Sequence, residues 1–459
     1  MANDSSSLRH SVRDGAAHAV MLGAGEAYLI PFAVMVGVQH FWIGILASAP
    51  LLLGGIAQIF TAGLLDRAKS RRSLAVVPAA LQGVAYLPLA ALALASPEQA
   101  TLPLLALAAL YHTAAGVVVP AWNSWIAELV PPQRRGEFFG RRNRVRTAVE
   151  FGSVFLAGGG LALARHLGAE GSGFAIVFVV AALARLLSAR EIHSMHEPPY
   201  HPPATDQTFT FRAFLWRSPR GNFGRFTLYV AVFLGATHVA SPFFTPFMLE
   251  DLGFGYVEFT LCSAAFIAAQ AAMMQSWGRV GDRFGNRRIL ALTGLTLPVV
   301  PMLWLFASNV WFVIALQVIA GLLWSGFHLS VANFLFDAVT PQKRARCVAY
   351  YNATTSAGLF LGASCGGLLA TLLPSNAGLA AWGLPLGSPL QLVFVASGVL
   401  RLLASLALIP LVREVREVES GNLGDVIIHI VGQSPLRGAR LAVFGGTHPS
   451  ETDKPPEVR

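Results

Sequence analysis

The sequence predicts an all-α integral membrane protein of twelve spanning helices, arranged as two similar bundles of six. Three observations predict it. Of 459 residues, 54% are hydrophobic and only 12% are charged, with a mean hydropathy of +0.57, whereas a soluble domain carries roughly 25% charge. That leaves too little polar surface for a water-soluble chain of this size, so lipid must cover much of the exterior, and the composition argues against a large soluble enzyme. The other two observations are the spacing of the apolar runs and the placement of the basic residues between them.

A spanning helix needs about 20 mostly apolar residues. Twelve runs qualify: 16–38, 42–65, 73–95, 102–126, 146–164, 172–190, 226–248, 257–277, 289–307, 310–335, 348–372 and 389–411. They divide the chain into a polar N-terminus (1–15), a first bundle (16–190), a linker (191–225), a second bundle (226–412) and a tail (413–459). The first run follows a polar stretch and lacks a small-residue cleavage site after it, so it reads as a retained helix and not as a signal peptide. The net charge is +9, but it sits in short clusters between apolar runs, so it reads as a topology signal and not as a nucleic-acid surface. Arg9 and Arg13 precede helix 1. Arg67 to Arg72 follow helix 2, Arg134 to Arg144 follow helix 4, and Arg212 to Arg225 follow helix 6. Arg279 to Arg288 follow helix 8, Lys343 to Arg346 follow helix 10, and Arg413 and Arg416 follow helix 12. The alternate loops hold one basic residue, Arg165. Cytoplasmic loops retain Lys and Arg, which implies the inner membrane with both termini cytoplasmic. Cys262, Cys347 and Cys365 lie in or beside apolar runs without a Cys-x-x-Cys spacing, so neither a disulfide framework nor a zinc site is expected.

The two halves repeat each other. ELVPPQRRGEFFGRRN (128–143) aligns with DAVTPQKRARCVAYYN (337–352), and AGLLDRAKSRR (62–72) with GRVGDRFGNRR (278–288). Pro31 in helix 1 and Pro242 in helix 7 form a third pair. A repeat of this kind is the mark of a bundle built twice.

The loop GRVGDRFGNRR carries a family resemblance. It is similar to the signature Gly-x-x-x-Asp-Arg-x-Gly-x-Arg-Arg of major facilitator superfamily transporters, with Gly278, Asp282, Arg283, Gly285, Arg287 and Arg288 all matching. The first-half copy keeps Asp66, Arg67, Arg71 and Arg72, but Ala62 and Lys69 replace its glycines, which puts a clean turn there in doubt. The resemblance covers about residues 16–412 and implies a secondary transporter of a small solute, with this loop acting as a conformational latch on the cytoplasmic side. A glycine between charged residues permits a turn with positive φ, and an acid at a helix end can face the positive N-terminus of a neighbour. Signatures of drug–proton antiporters and sugar porters are missing: helix 4 (ALAALYHTAAGVVVPAWNSW) has no Arg and helix 5 (FGSVFLAGGGLAL) has no Pro. The subfamily stays open.

The resemblance further implies that helices 1, 4, 7 and 10 line the central path. Each holds an ionisable residue: Glu26, His112, His238 and His328, accompanied by Tyr28, Tyr111, Trp122, Asn123, Thr237, Trp324 and Asn333. A charge at mid-membrane costs about 2.5–3.5 kcal/mol on insertion scales, so one that persists faces a cavity or a partner. Glu26, near mid-depth by count from residue 16, is the sharpest candidate for proton exchange, because burial favours a neutral carboxyl; a histidine is the alternative. Each histidine, taken singly, reads more readily as a hydrogen-bonded structural residue. Glu150 is expected beside Arg144 or Arg146, and Arg401 as a packing residue in a peripheral helix. Gln58, Gln82, Gln270 and Gln317 read equally as interhelical links or cavity groups. Gly158–Gly160 and Gly366–Gly367 read as close helix packing.

Outside the spans, His193, His196 and His201 sit among prolines and read as linker before metal site. FRAFLWRSPRGNFGRF (211–226) suits the headgroup layer, and VIIHIV and RLAVF in the tail read as two short strands. The expected partners are an unidentified small-molecule substrate, membrane lipids and, as one option, protons, with no cofactor. A sensor or assembly factor that uses the same fold without net transport is the competing reading; an intramembrane enzyme lacks a catalytic constellation.

Overall fold

The computed structural model describes residues 2–95, 100–130, 135–199, 211, 214, 216, 220–339, 341–373, 386–416, 418–419, 424 and 426. Among these the secondary structure is helical throughout. Twelve segments are long and apolar enough to cross a bilayer: α1 Ser6–Met35, α2 His40–Thr61, α3 Arg71–Ala95, α4 Thr101–Ile126, α5 Phe138–His166, α6 Glu170–His193, α7 Asn222–Asp251, α8 Tyr256–Phe284, α9 Asn286–Phe306, α10 Val310–Leu335, α11 Cys347–Leu372 and α12 Leu390–Leu411. Large apolar side chains that stay exposed, among them Phe60, Leu94, Leu102, Leu156, Ile176, Trp311 and Leu403, form the surface that lipid would cover. The two tail strands fall outside the described residues, apart from Val426, as does His201.

The repeat in the sequence is a repeat in packing. In the first half α1 packs on α5 and α6, α4 on α2 and α3, and α3 on α6. In the second half α7 packs on α11 and α12, and α10 on α8 and α9, in the same pattern. The halves touch mainly through α2 against α11 and α5 against α8.

Both first helices of a bundle break at the predicted prolines. A proline ring collides with the carbonyl four residues earlier and lacks the N–H of an intrahelical bond. The regular part of α1 ends at Ala24 and gives way to a 3₁₀ turn at Glu26–Tyr28 ahead of Pro31. In α7 the regular helix ends at His238, four residues before Pro242, and a 3₁₀ turn at Ser241–Phe243 follows.

Several predicted helix starts are late. The rod of α1 begins at Ala2, because its polar turns are buried against other helices: His10 Nδ1 lies 2.7 Å from Glu191 and Ser7 Oγ accepts from His196 N. The helices of α5 and α11 begin at Arg135 and Pro341, so much of the basic sequence read as loop is helix. Glu26 is therefore nearer the far end of the longer α1 than its start. At roughly 1.5 Å per residue it lies about 30 Å along α1 from Ser6 and about 14 Å from Met35.

The face at which α1 begins and α12 ends, and which carries most of the described arginines, is the basic face. At the opposite face one apolar cluster runs through both halves, joining Phe32, Phe174 and Phe178 to Phe243, Phe247, Trp304 and Phe394. Toward the basic face each half keeps its own cluster, Trp125 and Ile126 in the first and Phe226, Phe334 and Tyr351 in the second. The halves thus share one core at the opposite face and hold separate cores at the basic face.

Candidate functional site

The break in α1 turns Glu26, half-buried, towards α4, where the Tyr111 hydroxyl donates to its carboxylate at 2.5 Å. Tyr111 is buried and packs edge-on against Tyr86 (5.6 Å between centroids) and His112 (4.8 Å). A polar chain runs on from there. Gln82 donates to the Tyr111 carbonyl (3.2 Å), and the Gln82 side-chain oxygen accepts two bonds from Arg185 (2.9 and 2.6 Å). Arg185 also donates to Ser188, whose hydroxyl donates to Asp14 (2.7 Å), and Asp14 pairs with Arg142 at 3.1 Å. Arg142 in turn lies over the Trp122 ring, 4.2 Å from its centroid. His18 stands within electrostatic reach of Arg142, Arg146 and Arg185, and Arg146 pairs with Glu150 at 3.0 Å. The first half thus holds a bonded chain that runs from Arg142 and Asp14 through Ser188, Arg185, Gln82 and Tyr111 to Glu26, with the Arg146–Glu150 pair beside it. An ionised group buried in hydrocarbon persists when it is paired and hydrogen-bonded, and here each supports the next.

His112 borders a cavity of about 300 Å³ between α2, α4 and α11, whose polar lining also includes Gln58, Asn352, Thr355 and Ser356. Asn352 donates to Gln58 across the two halves at 2.8 Å. Gly54 and Gly55 let the walls of this cavity close up on one another: a Cβ on Gly54 would lie 2.6 Å from the His112 carbonyl, and one on Gly55 would lie 2.9 Å from Ser356 Oγ.

The predicted path residues divide into groups. Glu26, Tyr111 and His112 come together. Trp324 and His328 stack at 5.0 Å, with Gln270 at 3.2 Å from His328 Nδ1, and His328 is exposed. Tyr28 is buried at the seam of the halves, donating to the Val154 carbonyl (2.7 Å) and bonded to Thr260 Oγ1 (2.8 Å). Thr237 bonds to Phe233 O and His238 Nδ1 lies 3.2 Å from Leu234 O, both within α7. Trp122 serves as the platform for Arg142, and Asn123 is exposed without an assigned bond. Asn333 belongs elsewhere: it donates to Asn286 at the start of α9, and Asn286 donates to Asp337. Sequence reasoning missed Asp14, His18, Arg142 and Arg185 as members of the site.

Arg401, the counterpart of Arg185 in the second half, is buried; it donates to Ser397 (3.1 Å) and the Thr237 carbonyl (3.4 Å), with no carboxylate partner among the described residues.

The signature loops repeat one device. Lys69 takes a left-handed conformation (φ +53°) where Gly285 has φ +88°, so the first-half turn forms with lysine at the glycine position. Glu197, beyond α6, accepts from the Arg71 and Arg72 amides, and Glu414, beyond α12, accepts from the Arg287 amide (2.8 Å). Each carboxylate thereby meets the positive N-terminus of the third helix of its bundle. Arg71 forks onto Glu128 (2.7 and 2.5 Å), while Arg287 reaches the Val412 carbonyl (2.6 Å). Arg416 bridges Asp337 (2.8 Å) and Asp282 (3.2 Å), and Arg283 pairs with Glu419 (2.7 Å). The hydrogen bond and charge of Asp337, then of Asp282, hold the Arg416 guanidinium above its ordinary pKa. All of these partners belong to the same half as the loop. Arg67 is exposed, Gly278 is half-buried, and the side chain of Asp66 lies outside the described set.

The halves also meet near the opposite face, in addition to the Asn352–Gln58 bond between α2 and α11. Besides Tyr28–Thr260, His40 lies 3.4 Å from Glu250, and Tyr256 donates to Glu170.

The sequence model of the Major Facilitator Superfamily matches residues 18–262 and 223–445. The chain is 30% identical over 141 residues to "Multidrug resistance protein MdtG" of Yersinia enterocolitica, a match covering 30% of this chain and 33% of that protein. Its fold is similar to a bacterial homologue of the human lysosomal transporter Spinster in an inward-facing, occupied conformation (TM-score 0.69, 17% identity, 90% of this chain and 97% of that one). It is also similar to a variant of the nucleoside transporter NupG (0.68, 14%, 89% and 100%) and to the D-xylose–proton symporter (0.67, 12%, 91% and 99%).

Proposed function

The chain belongs to the major facilitator superfamily, and on that premise we propose that it is a proton-coupled secondary transporter of a small organic solute, working by alternating access. Membrane transport, and not enzyme catalysis, follows from the family; the coupling and the mechanism are the reading argued here. One observation carries it: a carboxylate, Glu26, stands at the broken turn of α1, held by the Tyr111 phenol and backed by a buried polar chain through Gln82 and Arg185. A carboxyl in such a position can exchange a proton with whichever face has access. Tyr111 and His112 then link its charge to the cavity at α2, α4 and α11, which supplies hydrogen-bonding groups to the solute.

On this reading the basic face is cytoplasmic, both termini lie there, and the structure is the state closed to the outside. The seam of Tyr28, Thr260, His40, Glu250, Glu170 and Tyr256 is the outer gate. The loops at Asp66–Arg72 and Gly278–Arg288, each fastened within its own half, act as the bases on which the halves rock.

Proteoliposomes loaded with a pH-sensitive dye test the function. With a panel of organic solutes, an active solute should move protons in step with its own flux, and an imposed pH gradient should drive its accumulation. A protein that binds solutes but passes neither solute nor protons would be a sensor built on this fold.

A further inference from the structure

At their opposite-face ends α5 and α8 are in close contact. Gly158 leaves room for Thr260, and the Tyr28 hydroxyl ties Thr260 to the Val154 carbonyl. Toward the basic face the two helices leave a cleft of about 470 Å³, walled by Thr147, Ala148 and Phe151 on α5 and by Ile267, Ala268 and Ala271 on α8. Asn143 and Arg144 stand at its basic-face end. The cleft has room because two of the three residues of its α8 wall, Ala268 and Ala271, are alanine. No acid lies among its lining residues, and the first carboxylate further along α8 is Asp282, three turns beyond Ala271, already bonded to Arg416. Arg144 is exposed, and Arg141, also exposed, precedes it by one turn on the same face of the helix. On the same helix Arg146 is already paired with Glu150, and Arg142 with Asp14.

An apolar slot between two spanning helices, closed at its basic-face end by guanidinium groups that have no partner among the described residues, is complementary to one kind of molecule, an amphiphile with an acyl chain and an anionic head. We propose that this cleft binds an anionic glycerophospholipid of the leaflet at the basic face, with the acyl chain between α5 and α8 and the phosphate at Arg144. The lipid acts as a wedge. The cleft exists only while the halves stand apart at this face, so an occupant binds this conformation and not its alternate, and must shift the population towards it. The wedge rests on the alternating-access reading above; the binding does not.

The test uses the full chain in nanodiscs of phosphatidylcholine, with or without phosphatidylglycerol. Lipid that survives detergent exchange is counted by native mass spectrometry. The distance between halves is read from spin labels at Leu64→Cys and Gln275→Cys, with the native cysteines changed to serine. The wild type should retain phosphatidylglycerol in preference to phosphatidylcholine, and phosphatidylglycerol should lengthen the inter-label distance. Arg144→Gln should lower the preference about fivefold, since a basic residue near an anionic surface contributes about 1 kcal/mol. Ala271→Trp should displace the retained lipid of either kind while keeping the long distance, because the indole takes the place of the chain. Retention of phosphatidylglycerol in Ala271→Trp at the wild-type level would overturn the site, and an unchanged preference in Arg144→Gln would overturn the headgroup assignment. If retention behaves as expected but the label distance ignores lipid, the wedge is wrong. A distance that stays fixed under lipid, solute and pH alike would instead count against alternating access and leave the binding result standing.

Discussion

Gly158 makes the seam between the halves at the opposite face possible, and adding one methyl there should force it open. A Cβ at residue 158 would fall on Thr260 Oγ1 and lie 2.6 Å from the Tyr28 hydroxyl. Both atoms are engaged, Tyr28 with the Val154 carbonyl at 2.7 Å and with Thr260 at 2.8 Å. Overpacking of this kind costs about 1–3 kcal/mol, and the displaced hydrogen bond about 1 kcal/mol more. The contact with Tyr28 lies within the first half and can relax there, but the one with Thr260 lies between the halves, so its strain falls on the conformation in which the opposite face is shut. A bias of about 2–4 kcal/mol is on the order of 30- to 1000-fold in the equilibrium, enough to invert a pair of states that differ by a few kcal/mol. Val38, 6% exposed at the opposite face, reports the change. In Gly158→Ala, Val38→Cys should react with a membrane-impermeant maleimide much faster than it does with glycine retained. An unchanged labelling rate in a well-folded Gly158→Ala protein would refute the seam as the gate.

Other expectations follow from the polar groups and the loops. Arg185→Met should lower the thermal midpoint by several degrees, since it strips partners from Gln82, Ser188 and Asp14, and breaking a buried pair costs about 3–5 kcal/mol. Arg401→Met, at the matching place in the second half, should stay within about 1 kcal/mol of wild type or exceed it, because no carboxylate depends on that cation; a fall as large as that of Arg185→Met would show a missed partner. Lys69→Gly should raise stability by about 1 kcal/mol, the usual cost of holding a side chain left-handed, read as a higher midpoint in thermal unfolding. Leu167→Cys should label from outside intact cells and Ala68→Cys only after permeabilisation; the reverse pattern would invert the topology.

The spans and their repeat were legible because lipid imposes composition on whole helices, and charge retention imposes a period on loops. The signature loop was legible because its turn needs residues of special geometry, although Lys69 shows that a turn can form without its glycine. The polar heart of the first half was not legible. Arg185 sits in a run, ALARLLSAR, that reads as the basic end of a helix, and Arg142 stands among arginines that read as topology. Asp14 and His18 fell at or before the start of the first apolar window, yet α1 begins at Ala2 and carries both inside. Local composition reports what faces lipid; it does not report which polar residues from α1, α3, α5 and α6 meet one another in the interior. Asn333 shows the converse, a polar residue on a predicted path helix whose partner, Asn286, is set by the start of α9.

The central claim is that the charge of Glu26 is coupled to which face is open. It is tested without any knowledge of the solute, by the distance between labels on the two halves at the basic face, measured across a pH titration. Glutamine mimics the protonated carboxyl, so Glu26→Gln should show, at every pH, the distribution that the wild type reaches only when acidified, while the wild type shifts with pH. A Glu26→Gln protein that follows pH as the wild type does, alongside a His112→Ala, His238→Ala or His328→Ala protein that no longer responds, would contradict the assignment to Glu26. A wild type that ignores pH altogether would contradict proton coupling itself.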